Sequence, residues 1–352
     1  MKKTTCPKLA AIFLTCLFFC GCGTVKTAGE ADSDSFGQEG AFVSDMTATD
    51  NAPYVYQKDI VYGYKHGMGL IMDVFTPANG EKRNGAGVLW VVSSGMHSDP
   101  DHVRREELPM RIRELLSRGY VVFAAMHGSQ PKYTVPEIQQ DMPRAVRYIR
   151  HHAERFGIDG NRIGVMGFSS GGQLALHLAT SAPGARSGGR DPVDRESSRV
   201  QAAVAYFPGT DMVNFGAKDR TIVEHFRNIG EGGGSPFDFQ KWDDERQVFV
   251  RIDEPEERRA IFTDCSPVSH VSDDDPPTLL FHGDRDELVP IQQSKVFLER
   301  MKKVGAECKL VVAPGKGHGW GKPLKNELAQ LTGWFDQHLL REKNRRTKVR
   351  ED

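Results

Sequence analysis

A serine hydroxyl becomes a nucleophile only when a base takes its proton, and an imidazole serves as that base only when a third group fixes its tautomer. Three widely separated positions offer these side chains in the order serine, carboxylate, imidazole: Ser169, Asp286 and His318. Ser169 stands in Gly167-Phe-Ser-Ser-Gly-Gly172, after the apolar run Ile163 to Met166 and directly before Gln173-Leu-Ala-Leu-His-Leu-Ala-Thr180. A strand, a Gly-x-Ser-x-Gly turn and a helix in immediate succession form the sharp elbow that lifts a nucleophile clear of its sheet. Its flanks must be small, and Gly167, Gly171 and Gly172 meet that demand. The competing reading is a glycine-rich turn with a solvated serine; the adjoining strand, helix and third glycine favour the elbow.

In a parallel sheet, catalytic groups gather where strands end at their C-terminal edge. Two later strand ends carry such groups: Phe281-His-Gly-Asp-Arg-Asp-Glu-Leu-Val-Pro290 and Ala313-Pro-Gly-Lys-Gly-His-Gly-Trp320. We assign His318 as general base and acid, and Asp286 as the carboxylate that orients it. Asp284 is the rival acid, its other role being a turn-stabilising residue before Arg285. His282 reads as a strand-end residue with a locally bonded ring. His127, His177, His270 and the His151-His152 pair read as surface or packing residues. A tetrahedral oxyanion also needs donors. The backbone amide of Ser170 is one, and the loop Ser93-Ser-Gly-Met-His97 supplies the other through the amide of Ser94 or Gly95.

These groups require a scaffold, and the hydrophobic pattern predicts one. Tyr54 to Tyr64 and Leu70 to Phe75 read as an antiparallel opening split by His66-Gly-Met-Gly69. Val88 to Val92 and Tyr120 to Ala125 are continuous apolar runs, as expected of strands covered on both faces. Helices are predicted over Glu106 to Arg118, from Asp141 to Phe156, over Gln292 to Val304, and from Lys322 to about Leu340. Further strands are predicted at Val200 to Tyr206, Thr278 to His282 and Lys309 to Ala313, with a polar loop over 184–198. Alternation of this kind implies an α/β protein with a mostly parallel, doubly wound sheet and helices on both faces. Residues 211–262, with many charges and scattered aromatics, interrupt it and read as a small cap insertion.

The ends of the 352-residue chain read differently. Lys2, Lys3 and Lys8 precede an apolar run from Leu9 to Cys20, too short to span a bilayer but suited to a signal peptide. Phe19-Cys-Gly-Cys22 resembles a bacterial lipobox, so residues 1–22 are read as a lipoprotein signal with Cys22 lipidated, Cys20 being the rival. That predicts an exported protein anchored to a membrane by lipid; plain secretory cleavage is the alternative. Residues 23–52 lack large apolar groups and read as a flexible tether, 53–342 as the catalytic domain, and 343–352 as a solvated basic tail. The balance of 46 basic against 47 acidic residues, with no long basic face outside the C-terminal tail, argues against nucleic acid as a partner. Cysteine and histidine spacings suggest no metal site, and no cofactor is expected; Cys265 and Cys308 read either as a pair or as free thiols.

On the motifs at 167–172, 282–290 and 317–319, the chain resembles the α/β-hydrolase superfamily. The likeness is to the esterase/lipase members of feruloyl- or acetylxylan-esterase type, which share features with the prolyl oligopeptidase catalytic domain. It covers about 54–340 apart from most of the insertion. The resemblance implies ester hydrolysis through an acyl-enzyme, with Ser169, Asp286 and His318 as nucleophile, acid and base. With export, it implies acylated carbohydrate or other small esters as substrates. A peptidase and a non-catalytic binding lipoprotein are the alternatives. Many relatives carry His-Gly-Gly-Gly where this chain has Ser93-Ser-Gly-Met, a departure in the loop expected to donate to the oxyanion.

Overall fold

The computed structural model describes residues 54–78, 83–104, 108–184, 188–230 and 234–340. Expectations for the signal segment, Cys22, the tether and the basic tail lie outside the described residues.

Strands β1 (Tyr54–Lys65) and β2 (Met68–Pro77) pair antiparallel across a tight turn, with His66 and Gly67 both at positive φ. They join β3 (Gly87–Val92), β4 (Val121–Met126), β5 (Ile163–Phe168), β6 (Ala202–Tyr206), and, after a separate hairpin of β7 (Gln240–Asp243) and β8 (Val248–Arg251), β9 (Thr278–Gly283) and β10 (Cys308–Ala313). The eight-stranded sheet runs β1-β2-β4-β3-β5-β6-β9-β10. β2 meets β4 antiparallel, and every pairing from β4 onward is parallel. The fold is therefore the mostly parallel α/β architecture expected.

The helices are α1 (Met110–Ser117), α2 (Val135–Gln139), α3 (Asp141–His151), α4 (Ala153–Phe156), α5 (Ser170–Ser181), α6 (Pro192–Arg195), α7 (Ile222–Asn228), α8 (Pro255–Asp264), α9 (Gln292–Val304) and α10 (Glu327–Phe335). Side-chain alternation divides the core. Leu89 and Val91 of β3 join Ile138, Met142, Val146 and Leu174 on one face. Val88, Trp90 and Val92 join Ile112, Leu115, Leu331 and Phe335 on the other. All six residues of β3 and of β4 are buried, which explains their unbroken apolar character. Each fully buried Ile or Leu stabilises this arrangement by about 1.5–3 kcal/mol.

Several boundaries differ from the sequence reading. The helix predicted from Asp141 to Phe156 is interrupted at His152, whose ψ of 22° leaves the helical range. The last helix begins at Glu327 rather than Lys322, because Asn326 sits at φ 65° and its left-handed backbone cannot lie within a helix. After Phe335 the chain widens into a π turn over Asp336–Leu340. The described part of the predicted 106–118 helix begins at Met110, after Pro109. α2 was not expected, although Thr134 and Glu137 form a capping box at its start, and α6 interrupts the predicted polar loop.

Residues 211–262 contain α7, a single 3-10 turn at Ser235–Phe237, the β7–β8 hairpin and most of α8. Phe215, Phe237, Phe239 and Phe262 are buried in the same hydrophobic cluster as α5 and β3. The hairpin instead leaves Trp242 and Phe249 exposed, their rings in edge contact at 5.2 Å. Cys265 is buried, Cys308 half-buried, and both are free thiols.

Candidate active site

The turn between β5 and α5 is shaped by contacts too close for side chains. A Cβ on Gly167 would lie 2.1 Å from the Gly171 carbonyl oxygen, and one on Gly171 would lie 2.6 Å from that of Val91. Ser169 takes φ 52° and ψ −122°, a strained conformation for a residue with a side chain. Its amide donates to the Tyr206 carbonyl at 2.9 Å, which ties the apex to β6. The N-terminus of α5 begins at the next residue.

The structure brings the three predicted side chains together. His318 Nε2 lies 2.9 Å from Ser169 Oγ, and His318 Nδ1 lies 2.8 Å from Asp286 Oδ2. Because an ionised carboxylate only accepts, Nδ1 carries the proton and Nε2 is free to accept from the serine hydroxyl. Asp286 is 6 % exposed. Its Oδ1 accepts the amides of Leu288 and Val289 at 3.1 and 2.8 Å. Burial alone would raise its pKa, but hydrogen bonds from His282 and His318, with the Val289 amide, hold it down at about 2.

Asp284 is exposed, and its Oδ1 accepts the Gly315 amide at 2.6 Å, so it buttresses the loop that carries His318. His282 is fully buried at the end of β9, bonded to Ser294 Oγ and the Val289 carbonyl, each at 2.7 Å, with Asp286 Oδ2 at 3.4 Å. The structure does not bring the other weighed histidines into this relay. His127 donates to the Gly128 carbonyl, and burial lowers its pKa to about 4; burial likewise lowers that of His177, which faces His270.

In the loop after β3, Ser94 and His97 exchange backbone hydrogen bonds, so the Ser94 amide is committed to the His97 carbonyl at 2.8 Å. This corrects the expectation that Ser94 could serve equally with Gly95. The Met96 amide donates to Ser170 Oγ at 3.2 Å, and Ser93 Oγ lies 2.9 Å from the same oxygen. Ser170 thus pins this loop to the elbow, while among the described residues the amides of Gly95 and Ser170 take no protein acceptor.

Two supports were missed from sequence. Glu327 is fully buried; its Oε1 accepts from Arg111 Nε at 2.5 Å and its Oε2 from Trp320 Nε1 and the Leu324 amide, both at 2.7 Å. Trp320 is two residues past His318, so a distant helix N-terminus anchors the imidazole's loop. Gly283 is the second: a Cβ there would lie 2.3 Å from the Lys316 carbonyl oxygen. The sequence cue to the first is no more than an acidic residue opening a helix at Glu327, which does not point to Arg111.

A cavity of about 580 Å³ opens at Ser169 and His318. Phe207, Phe215, Ile222, Phe226 and Phe237 make its walls largely apolar. The Phe207 ring also meets His318 edge-on at 4.7 Å.

A family profile described as BD-FAE matches residues 72–301. Esterase LipC of Mycobacterium tuberculosis is 29% identical over 211 residues, covering 59% of this chain and 47% of that protein. The probable carboxylic ester hydrolase LipM of the same organism is 26% identical over 260 residues, covering 72% of this chain and 53% of LipM. The chain spans about half the length of these curated relatives. Among solved structures, a truncated carbohydrate esterase from gut microbiota superposes with a TM-score of 0.64 at 22% identity, covering 84% of this chain and 100% of that one. That likeness bears on the fold.

Proposed function

The chain belongs to the BD-FAE family of the α/β-hydrolase superfamily, and on that premise we propose that it is a serine carboxylester hydrolase working through an acyl-enzyme. Ser169 Oγ attacks the ester carbonyl carbon as His318 Nε2 takes its proton. The imidazolium is stabilised by Asp286, and the amides of Ser170 and Gly95 donate to the oxyanion. The tetrahedral intermediate collapses with cleavage of the C–O bond, and His318 passes its proton to the departing alkoxide. A water then attacks the acyl-serine, giving its proton to His318, and the acid leaves as the serine recovers that proton.

The observation that carries this reading is the continuous hydrogen-bonded path from Ser169 through His318 to a buried carboxylate held at about pKa 2. The esterase names of the matched relatives support the same reaction class. For substrate we propose acylated carbohydrate or other small esters. The carbohydrate esterase with which the fold superposes supports that choice by analogy. We further propose export and lipid attachment at Cys22, motivated by the charged and apolar leader; labelling with a palmitate analogue that survives Cys22→Ala would count against it.

The test of the activity is direct. Purified protein is expected to react with a fluorophosphonate probe and to hydrolyse p-nitrophenyl butanoate or acetylated xylan, both lost in Ser169→Ala. Silence toward the probe would leave a binding protein on a hydrolase fold, and cleavage of a dipeptide anilide without any ester would favour a peptidase.

A further inference from the structure

Gln173 lies one turn beyond Ser169 on α5, its backbone amide donating to the Ser169 carbonyl at 2.9 Å. The residue is 3 % exposed and lines the cavity that opens at the serine. Yet Nε2 of this buried carboxamide has no hydrogen-bond partner. Other buried carboxamides in the molecule are used. Gln139 Nε2 donates to the Cys265 carbonyl at 2.9 Å. Gln293 accepts the Thr210 and Asp211 amides on Oε1 and donates from Nε2 to the Asn214 carbonyl and Gln292 Oε1. Of the described residues that carry a buried, unpartnered side-chain nitrogen or oxygen, Gln173 is the one that lines this cavity.

Helix formation does not ask for glutamine here, since leucine or methionine would propagate α5 equally well and would not desolvate an amide. The surroundings do not ask for it either, because Phe207, Phe215 and Phe237 make the neighbouring wall apolar. A largely apolar cavity whose wall holds an uncommitted carboxamide, besides the free amides of Gly95 and Ser170, favours an occupant that carries a matching polar atom beside that carboxamide. A buried donor left unpaired by a hydrocarbon occupant penalises that occupant, so the group discriminates as well as attracts.

Resting on the ester-hydrolase reading, we infer that Gln173 determines specificity: its carboxamide hydrogen-bonds a hydroxyl on the substituent that fills the cavity, selecting hydroxylated esters over their hydrocarbon analogues. Nε2 is shielded from the cavity as the side chain stands, so the carboxamide must turn to present either Nε2 as donor or Oε1 as acceptor to that hydroxyl. The 580 Å³ cavity exceeds what an acetyl group would fill, leaving room for a ring that reaches the amide.

Two matched substrate series test the inference. One compares p-nitrophenyl 3-phenylpropanoate with each of its ring-hydroxylated isomers; the other compares benzyl butanoate with each hydroxybenzyl butanoate, so acyl and alkoxy occupants are both probed. In the native enzyme one hydroxylated isomer is expected to have the higher kcat/KM. Gln173→Leu should lower that preference at least about tenfold, mainly through KM of the hydroxylated ester. Gln173→Met, close in size to glutamine, should do the same. Fluorophosphonate labelling at Ser169 checks that each variant is folded. A native enzyme without preference in either series overturns the inference, as does a preference that both labelled variants retain. Hydrolysis of none of these esters, or of any simple alkyl ester, would instead strike the ester-hydrolase reading beneath it.

Discussion

The serine and the imidazole that meet at 2.9 Å are held by different means. At the elbow the constraint is backbone against backbone: Gly167 approaches Gly171, and Gly171 approaches Val91, more closely than any Cβ permits. At the His318 loop the constraint includes side chains, with Glu327 collecting Trp320, Leu324 and Arg111 on one buried carboxylate. Arg111 lies over the Tyr206 ring at 5.1 Å, so the anchor also reaches β6, the strand beside the one that leads into Ser169. The elbow thus depends on the absence of atoms and the loop on a charged cluster being complete. A site assembled in both ways should fail differently depending on which half is damaged.

Ser169→Ala sets the floor for that comparison, with an expected fall in kcat of roughly 10⁶-fold on a p-nitrophenyl ester and a native circular dichroism spectrum. Gly171→Ala should come next. It forces the elbow off Val91, and more than about a hundredfold loss of activity is expected with destabilisation of about 1–3 kcal/mol, read by urea denaturation. A stable, active alanine variant would break the claim that the elbow is closed to side chains. Glu327→Gln should cost about 3–5 kcal/mol of stability, since Arg111 is left buried without its counter-charge. Its kcat should fall about tenfold while KM changes little, a split expected when the base is displaced and the cavity is not.

A pH experiment separates the carboxylate from the scaffold. The folded-state pKa of Asp286 is depressed from 3.8 to about 2. Its ionised form therefore stabilises the native state above pH 3.8, and that contribution is lost as pH falls toward 2. The urea midpoint of native protein should fall more steeply across this window than that of Asp286→Asn; parallel curves would contradict it. The smallest effect is expected at the hairpin. Phe249→Ser, at a residue 68 % exposed, should alter stability by no more than about 0.5 kcal/mol and leave hydrolysis of a small soluble ester unchanged.

The elements that present Ser169, Asp286 and His318 were legible because their requirements are local. Buried parallel strands need unbroken apolar runs, and an elbow needs glycines at fixed offsets around Ser169. The order of Ser169, Asp286 and His318 along later strand ends then identified the groups that the fold brings together. What escaped depends on distant partners. Nothing near Glu327 in sequence announces that it will neutralise Arg111, 216 positions away. The commitment of the Ser94 amide follows from a two-residue bridge to His97 that side-chain identity does not encode. The late start of α10 turns on the left-handed conformation of Asn326, and the break at His152 on a backbone rotation that the apolar spacing continues straight through.

The long excursion between β6 and β9 has a consequence of its own. Ala203 to Tyr206 pair directly with Thr278 to Phe281, so the ladder closes behind everything that departs after one strand and returns at the next. Phe215, Ile222, Phe226 and Phe237, which shape the chamber, all belong to that detour, whereas Ser169, Asp286 and His318 do not. The apolar part of the chamber wall is in this sense an interchangeable tool bit on a fixed chuck, with Gln173 staying on the chuck: a grafted loop of another length could be fitted at those two attachment points without respacing the hydroxyl and the imidazole.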